Sequence, residues 1–205
     1  MATVKKIQEH FDRFHIYEVN DKKMNGQPSY VFKSSTPMAK ITLLMDQDNP
    51  QKNPFQDVVV FMDSLHSHVK DYITLTLWLH NPVIRHMQRI AYMDCESENV
   101  HNISKFLSLV NKMLHELKGD PNYIWNPHAI MTDENAAKKI AVGNILGEDL
   151  CKRMVSCQWH YLRCAKKQSS RVHDKDDKKR FKEYSRAFVS EAINLNEYVL
   201  SLIHI

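Results

Sequence analysis

The chain has 205 residues, of which 43% are hydrophobic and 4 are glycine, and its formal net charge is +4. This length and composition predict one globular domain with a hydrophobic core, and they exclude a small disulfide-stabilised protein and a disordered chain. The longest apolar stretches, such as residues 58–62, fall far short of the ~20 residues of a membrane-spanning helix. We therefore expect neither a membrane span nor a secretory signal, and four irregularly spaced cysteines are typical of intracellular thiols.

The positive charge is concentrated in one short segment. Residues 151–186 contain 12 Lys and Arg against 4 Asp and Glu, a net charge of +8, whereas residues 1–150 and 187–205 each carry −2. Such a density suits a polyanion such as nucleic acid, because lysine and arginine release counterions from the phosphates that they neutralise. A solvated linker or helix face is the alternative that charge alone leaves open.

Short strand-like runs dominate the first half of the chain. Weak alternation near the N-terminus predicts weak strands at residues 30–32 and 41–44. Three clearer strands, with short connections that predict an antiparallel meander, follow at residues 57–63, 72–79 and 89–93.

Helices and strands alternate after the meander. Apolar residues at spacings of three and four predict helices over residues 103–117, 136–145 and 181–202, and short strands are predicted at 129–132 and 154–157. Asn99 or Asn102 would cap the first helix and Gly119 would end it. Three strands followed by a helix, a strand, a helix, a strand and a helix predict an α/β fold with a mixed sheet.

Two acids stand at the ends of predicted strands, where an open α/β sheet presents its site. They are Asp63 and Asp133. If the first and fourth predicted strands are neighbours, the two carboxylates converge on a shared Mg²⁺, a hard ion that prefers oxygen ligands and supports phosphodiester chemistry. The alternative for each acid is a turn or a helix cap, and Asp133 before residues 134–137 fits an N-cap.

A Cys-x-x-His segment follows the fifth predicted strand. Cys157 and His160 would supply two of the four ligands of a structural zinc ion, with Cys151, Cys164 and His173 as nearby candidates. The spacing matches no zinc-finger pattern, so a buried cysteine and a hydrogen-bonded histidine remain the alternative.

The order of these segments resembles the transposase domain of the Mutator-like (MULE) superfamily. Asp63 on a strand, T-D-E-N-A-A at residues 132–137 and C-Q-W-H at residues 157–160 follow one another within roughly residues 55–170. The resemblance implies a ribonuclease H-like fold and an Asp-Asp-Glu triad that binds Mg²⁺ or Mn²⁺. It also implies cleavage and strand transfer of DNA in the nucleus. Family members often have Asp-x-Thr at the first acid, whereas this chain has Asp63 followed by Ser64 and Leu65.

The third acid of the triad is assigned to Glu191. This residue lies three positions after Phe188 and four before Leu195, and therefore on the apolar stripe of the last predicted helix. A carboxylate on an inner helix face needs a partner, and a metal ion would be one. A glutamate beyond Ile205 and a solvent-facing Glu191 are the alternatives that remain open.

We therefore predict a polar N-terminal segment (residues 1–54), a MULE-type ribonuclease H-like core (residues 55–170), and a basic linker with a C-terminal helix (residues 171–205). Three functions remain open at this point. One is a transposase core, in full or as a fragment, with Asp63, Asp133 and Glu191 as catalytic acids. Another is a catalytically inactive, domesticated domain that binds DNA or protein. The third is a plain intracellular domain with a zinc site at Cys157 and His160, and homo-oligomer formation is left open.

Overall fold

Strands and helices alternate along the computed structural model, which describes residues 15–22, 26, 28–133 and 135–194. The strands are β1 (His15–Asn20), β2 (Tyr30–Ser35), β3 (Val59–Val69), β4 (Tyr72–Asn81), β5 (His86–Cys95), β6 (Ala129–Thr132) and β7 (Met154–Ser156). The helices are α1 (Thr36–Leu44), α2 (Val100–Lys118), α3 (Ala136–Leu146), α4 (Glu148–Lys152), α5 (Gln158–Gln168) and α6 (Lys175–Asn194). The strands form one sheet in the order β1-β2-β5-β4-β3-β6-β7.

The predicted antiparallel meander is confirmed. Strand β4 pairs antiparallel with both β3 and β5. The first predicted strand was expected to end at Asp63, but β3 continues to Val69. It continues because the residues after Asp63 still pair with β4, for example His66 with Ile73. The turn between the two strands places Asp71 in the left-handed region, at φ 65°.

The second half of the sheet is parallel. Strand β6 pairs parallel with β3, and β7 pairs parallel with β6. Parallel neighbours need a crossover connection, which α2 provides between the meander and β6, and α3 with α4 provides between β6 and β7. The mixed α/β sheet predicted from the element order is therefore confirmed.

The N-terminal segment joins the same sheet. Strands β1 and β2 extend the sheet at the free edge of β5 through antiparallel pairing. The weak strand predicted at residues 41–44 is wrong, since these residues end helix α1. The helix begins after Ser35, whose side chain accepts a hydrogen bond from the amide of Met38, and Pro37 stands in the first turn, where its missing N–H costs no helical hydrogen bond.

Helix α2 carries the apolar stripe that the sequence predicts and covers one face of the sheet. Its inward residues Ile103, Phe106, Leu107, Val110 and Leu114 form one buried cluster with inward residues of the central strands, such as Leu75 and Leu77. Each such side chain contributes about 1.5–3 kcal/mol when it leaves water. Asn99 caps the helix by accepting from the amide of Asn102, and Gly119 ends it in the left-handed conformation.

The basic segment is helical over most of its length. Helix α5 begins directly after β7 and was not predicted, and α6 already begins at Lys175, within the predicted linker. Asp174 starts α6, because its side-chain Oδ1 accepts hydrogen bonds from the amides of Asp176 and Asp177. None of the helices in the described part of the chain combines the length and the apolar character that a membrane span requires.

Candidate functional site

A cleft of about 380 Å³ opens where β3 and β6 lie side by side. Met62 on β3 pairs in register with Thr132 on β6, so the next residues, Asp63 and Asp133, are neighbours across the two strands. Both aspartates line the cleft, together with Cys157 and His160 at the start of α5. The structure thus brings four of the residues singled out in the sequence to one place.

The remaining walls of the cleft are mainly apolar. They are formed by Phe61, Met62, Leu65, Trp78, Met87, Met131 and Thr132. The ring of Trp78 is covered by the guanidinium group of Arg89, whose central carbon lies 4.6 Å from the ring centroid. Trp78 and Arg89 are direct cross-strand partners on β4 and β5, a relationship that follows from strand register and has no local sequence signal.

Asp133 is held by three hydrogen bonds, all accepted by its Oδ1. The donors are the Lys138 ammonium at 2.8 Å, the Thr132 hydroxyl at 3.2 Å and the Asn135 amide at 3.4 Å. Burial by itself raises the pKa of Asp133, but the hydrogen bond and positive charge of Lys138, together with the hydrogen bonds from Asn135 and Thr132, outweigh burial, so the pKa lies below its usual value. The alternative role as the N-cap of α3 is wrong, because Asn135 caps that helix by accepting from the amide of Ala137.

A buried lysine links Asp133 to a second carboxylate. The side chain of Lys138 is 0% exposed, and its Nζ lies 2.8 Å from Asp133 and 3.0 Å from Glu98. Glu98 also accepts a hydrogen bond of 2.8 Å from the hydroxyl of Ser64. The contacts therefore run from Asp133 at the end of β6, through Lys138 on α3 and then Glu98, to Ser64 on β3. Ser64 is the residue next to Asp63.

Sequence reasoning missed both Lys138 and Glu98. The predicted apolar stripe of α3 was residues 136, 137, 140, 141 and 145. Ala141 is buried as predicted, Ile140 is exposed, and the other buried residues of the helix are Lys138, Val142 and Leu146. The spacing of Lys138, three and four residues before Ala141 and Val142, was the available signal. Glu98 precedes α2 and carries no local signal, since its partners come from distant parts of the chain.

Asp63 is oriented by its own strand. Its Oδ1 accepts a hydrogen bond of 2.8 Å from the amide of Ser64, and its carbonyl accepts one of 3.0 Å from the hydroxyl of Thr76, its register partner on β4. These two bonds hold the side chain and the backbone carbonyl of Asp63 in place within the sheet. The carboxylate consequently faces the cleft from a rigid element.

The Cys-x-x-His segment is tied to the same strand end. The amide of Cys157 donates a 2.7 Å hydrogen bond to the carbonyl of Thr132, directly before Asp133. The ring of His160 packs edge-on against Trp159 at a centroid distance of 4.8 Å, and its buried Nδ1 has no hydrogen-bond partner among the described residues. The Sγ of Cys151, a further ligand candidate from the sequence, donates a hydrogen bond to the carbonyl of Lys139.

The cleft contains two kinds of metal-ligand donor, the carboxylate oxygens of the aspartates and the side chains of Cys157 and His160. Asp63 and Asp133 offer carboxylate oxygens from one accessible cleft, where 27% of the Asp133 side chain is exposed. Across the described residues, no group of three or more His, Cys, Asp or Glu side chains is placed to hold a metal ion. The predicted third acid, Glu191, lies in α6, and its side chain is outside the described part of the structure.

The positive charge follows the two C-terminal helices. Arg163, Lys166 and Lys167 belong to α5, and most of the other basic residues of the segment lie on α6. A groove of about 260 Å³ between the two helices is lined by Leu162, Ala165, Lys166, Lys182, Ser185 and Arg186. Helix α5 therefore connects the cleft, which Cys157 and His160 line, to this basic groove, which begins at Leu162.

Comparisons of the chain with protein-family models, with curated proteins and with solved structures found no match in any of the three.

Proposed function

We propose that this chain is a ribonuclease H-like domain of the Mutator-like transposase type that cleaves DNA phosphodiesters and transfers strands at the Asp63–Asp133 cleft. The observation that carries the proposal is the convergence of three separate sequence segments. Asp63, Asp133 and the Cys157–His160 pair line one cleft, although 70 residues separate the first two. Such convergence is expected if the segments form one site.

The element order supports the same proposal. From β3 onwards the chain runs through a three-strand meander, a helix, a strand, two helices, a strand and two further helices. This is the order expected of a ribonuclease H-like core, with α4 added as a short helix. In that arrangement the first and fourth core strands are parallel neighbours, as β3 and β6 are, and their ends carry the acids.

The residues of the cleft have distinct roles in this proposal. A Mg²⁺ or Mn²⁺ ion held by Asp63 and Asp133 would supply a Lewis acid and an activated water or 3′-hydroxyl for attack on phosphorus. Lys138 keeps Asp133 ionised and fixed in direction. Glu98 and Ser64 extend this support to the strand that carries Asp63. The basic helices α5 and α6 attract and hold the DNA backbone through its phosphates.

A matched pair of variants tests the catalytic proposal. We expect nicking of labelled DNA in Mn²⁺ or Mg²⁺ and a loss of about 100-fold or more in Asp63→Asn, the order seen when one charge-stabilising group is removed. The control is Asp57→Asn, the same substitution at an exposed residue just before β3, which should cut like the wild type. Equal rates for the wild type and Asp63→Asn would contradict catalysis at this cleft.

One observation favours a second candidate, a domesticated domain that binds DNA or protein without cutting. The Lys138 ammonium already pairs with both Asp133 and Glu98, so the protein supplies a cation to an acid that a metal-dependent site would use as a ligand. This candidate predicts that the wild type binds nucleic acid or protein without nicking DNA. It also predicts that Asp63→Asn binds as tightly as the wild type and likewise does not nick DNA.

A further inference from the structure

An exposed tryptophan lies in sequence between two residues that line the cleft, Cys157 and His160. Trp159 lies in the first turn of α5, between Cys157 and His160, and 53% of its surface is exposed. Large aromatic side chains normally lose most of their surface to the core, so half-exposed indole beside a cleft needs a different explanation. An apolar ring that stays in water beside a charged surface is suited to stacking on another flat ring.

The position of Trp159 is fixed by its neighbours. The ring of His160 packs against it edge-on at 4.8 Å, and the guanidinium carbon of Arg163 lies 5.2 Å from its ring centroid. Arg163 is four residues further along the helix, hence on the same face. Arg163 therefore lies over part of the indole and His160 packs edge-on beside it, while 53% of the surface of Trp159 remains exposed.

A row of exposed cations leads away from the tryptophan. Residues 159, 163 and 166 are spaced by four and three, so Trp159, Arg163 and Lys166 form one stripe along α5. The stripe continues into the groove between α5 and α6, which both Lys166 and Lys182 line. All three cations are exposed, and none of the ion pairs among the described residues involves them.

We propose that Trp159, Arg163, Lys166 and Lys182 form a binding track for single-stranded nucleic acid that leads into the Asp63–Asp133 cleft. In this track an unpaired base stacks on the open surface of Trp159, and the three cations contact the phosphates of the following nucleotides. An aromatic platform beside a positive groove is how proteins bind single strands without reading their sequence. A duplex keeps its bases stacked on one another and offers Trp159 no free face. The inference rests on the proposed function for the identity of the ligand and adds that the strand at the cleft is unpaired.

Fluorescence anisotropy with a labelled oligo(dT) 20-mer and a blunt DNA duplex of the same length tests this track. The measurements are made in EDTA, so that binding is recorded without cleavage. We expect the full chain to bind the single strand more tightly than the duplex. Trp159→Ala should weaken single-strand binding about 10-fold, the order expected for one lost stacking contact, and should leave duplex binding unchanged. Trp159→Phe, which keeps a ring, should retain most of the affinity.

Salt dependence separates stacking from charge. Arg163→Ala should reduce the slope of log K against log salt for the single strand by about 0.7, since one phosphate contact is lost. Trp159→Ala should leave that slope unchanged, because it removes no charge. Lys40→Ala, which removes an exposed lysine from α1, is the matched charge control and should change neither affinity nor slope.

The outcomes distinguish this inference from the proposed function. Single-strand binding that depends on Trp159 without any nicking by the wild type would contradict catalysis and support the track. Nicking that depends on Asp63, combined with single-strand binding that is insensitive to Trp159→Ala, would overturn the track alone. Equal weakening of single-strand and duplex binding by Trp159→Ala, or no binding of oligo(dT), would also overturn it.

Discussion

The Nζ atom of Lys138 lies 2.8 Å from Oδ1 of Asp133, and the lysine side chain is entirely shielded from solvent. A buried ammonium group is tolerated only when carboxylates compensate its lost hydration. Glu98 provides the second compensating charge at 3.0 Å and is itself 12% exposed. The cleft is consequently supported by an ion triad that joins the loop before α2, helix α3 and the end of β6.

We predict that Lys138→Met lowers the free energy of unfolding by about 3–5 kcal/mol, the cost of breaking a buried ion pair by removing one partner. The methionine matches the lysine in length but leaves two carboxylates without their cation. Urea unfolding monitored by circular dichroism measures the loss. Lys139→Met is the matched control, because Lys139 is exposed on the same helix, and its effect should stay within about 0.5 kcal/mol.

A double variant shows whether the loss arises from the ion triad. Lys138→Met combined with Glu98→Gln should be less destabilised than the sum of the two single variants, because the second substitution removes a charge that the first one leaves unpaired. Additive effects would mean that the two residues act independently. A Lys138→Met protein as stable as the wild type would show that the lysine is not buried between these carboxylates.

The lowered pKa of Asp133 predicts a pH dependence of stability. Since the pKa of the folded state lies below the unfolded value near 3.8, the ionised carboxylate stabilises the fold above that pH. The stabilisation should disappear as the pH falls through the folded pKa. The difference in unfolding free energy between the wild type and Asp133→Asn should therefore be largest near pH 7 and shrink below pH ~4. Urea unfolding at pH 7, 5 and 3 measures it, and a difference that grows on acidification would contradict the prediction.

The sequence predicted the elements that depend on local pattern and missed those that depend on distant partners. Strand β6 was predicted with the bounds that the structure has, because a four-residue apolar run between turn signals is too short for a helix of its own. Helix α5 was missed because its exposed, basic residues form no apolar stripe. In α1 the run of residues 41–44 fits both a short strand and a helix end, and the cap at Ser35 decides between them.

The candidate site was predictable to a similar extent. Asp63 and Asp133 could be selected from sequence because each directly follows an apolar run. Their proximity required the sheet order, which puts β3 beside β6. The contact of Glu98 with Ser64 and Lys138 arises only after the chain has closed over 34 and 40 residues respectively, so no local pattern indicates it.

The four cysteines should differ in reactivity toward a thiol reagent. Burial raises the pKa of Cys95 to about 11, and the residue is fully shielded on β5, whereas Cys164 is exposed on α5. Because the thiolate is the reacting species, we expect Cys164 to give the fastest phase with Ellman's reagent at pH 8 and Cys95 to react only after unfolding. Cys164→Ser should remove the fast phase. Cys95→Ser should leave it unchanged, and a fast phase lost in that variant would contradict the burial of β5.

Replacing Gly119 or Gly143 by alanine should change the free energy of unfolding in opposite directions. Gly119 ends α2 at φ +71°, and a Cβ there would meet no atom within 4 Å, so Gly119→Ala carries only the cost of a left-handed backbone, about 1 kcal/mol of lost stability. Gly143 lies inside α3, and a Cβ there would first meet the Cys151 Sγ at 3.4 Å. Gly143→Ala should therefore raise stability by up to about 1 kcal/mol, because alanine loses less backbone entropy in a helix. Urea unfolding of both variants against the wild type measures the pair. If both variants were more stable than the wild type, Gly119 would not hold the left-handed cap. If both were less stable, Gly143 would not lie in a regular helix.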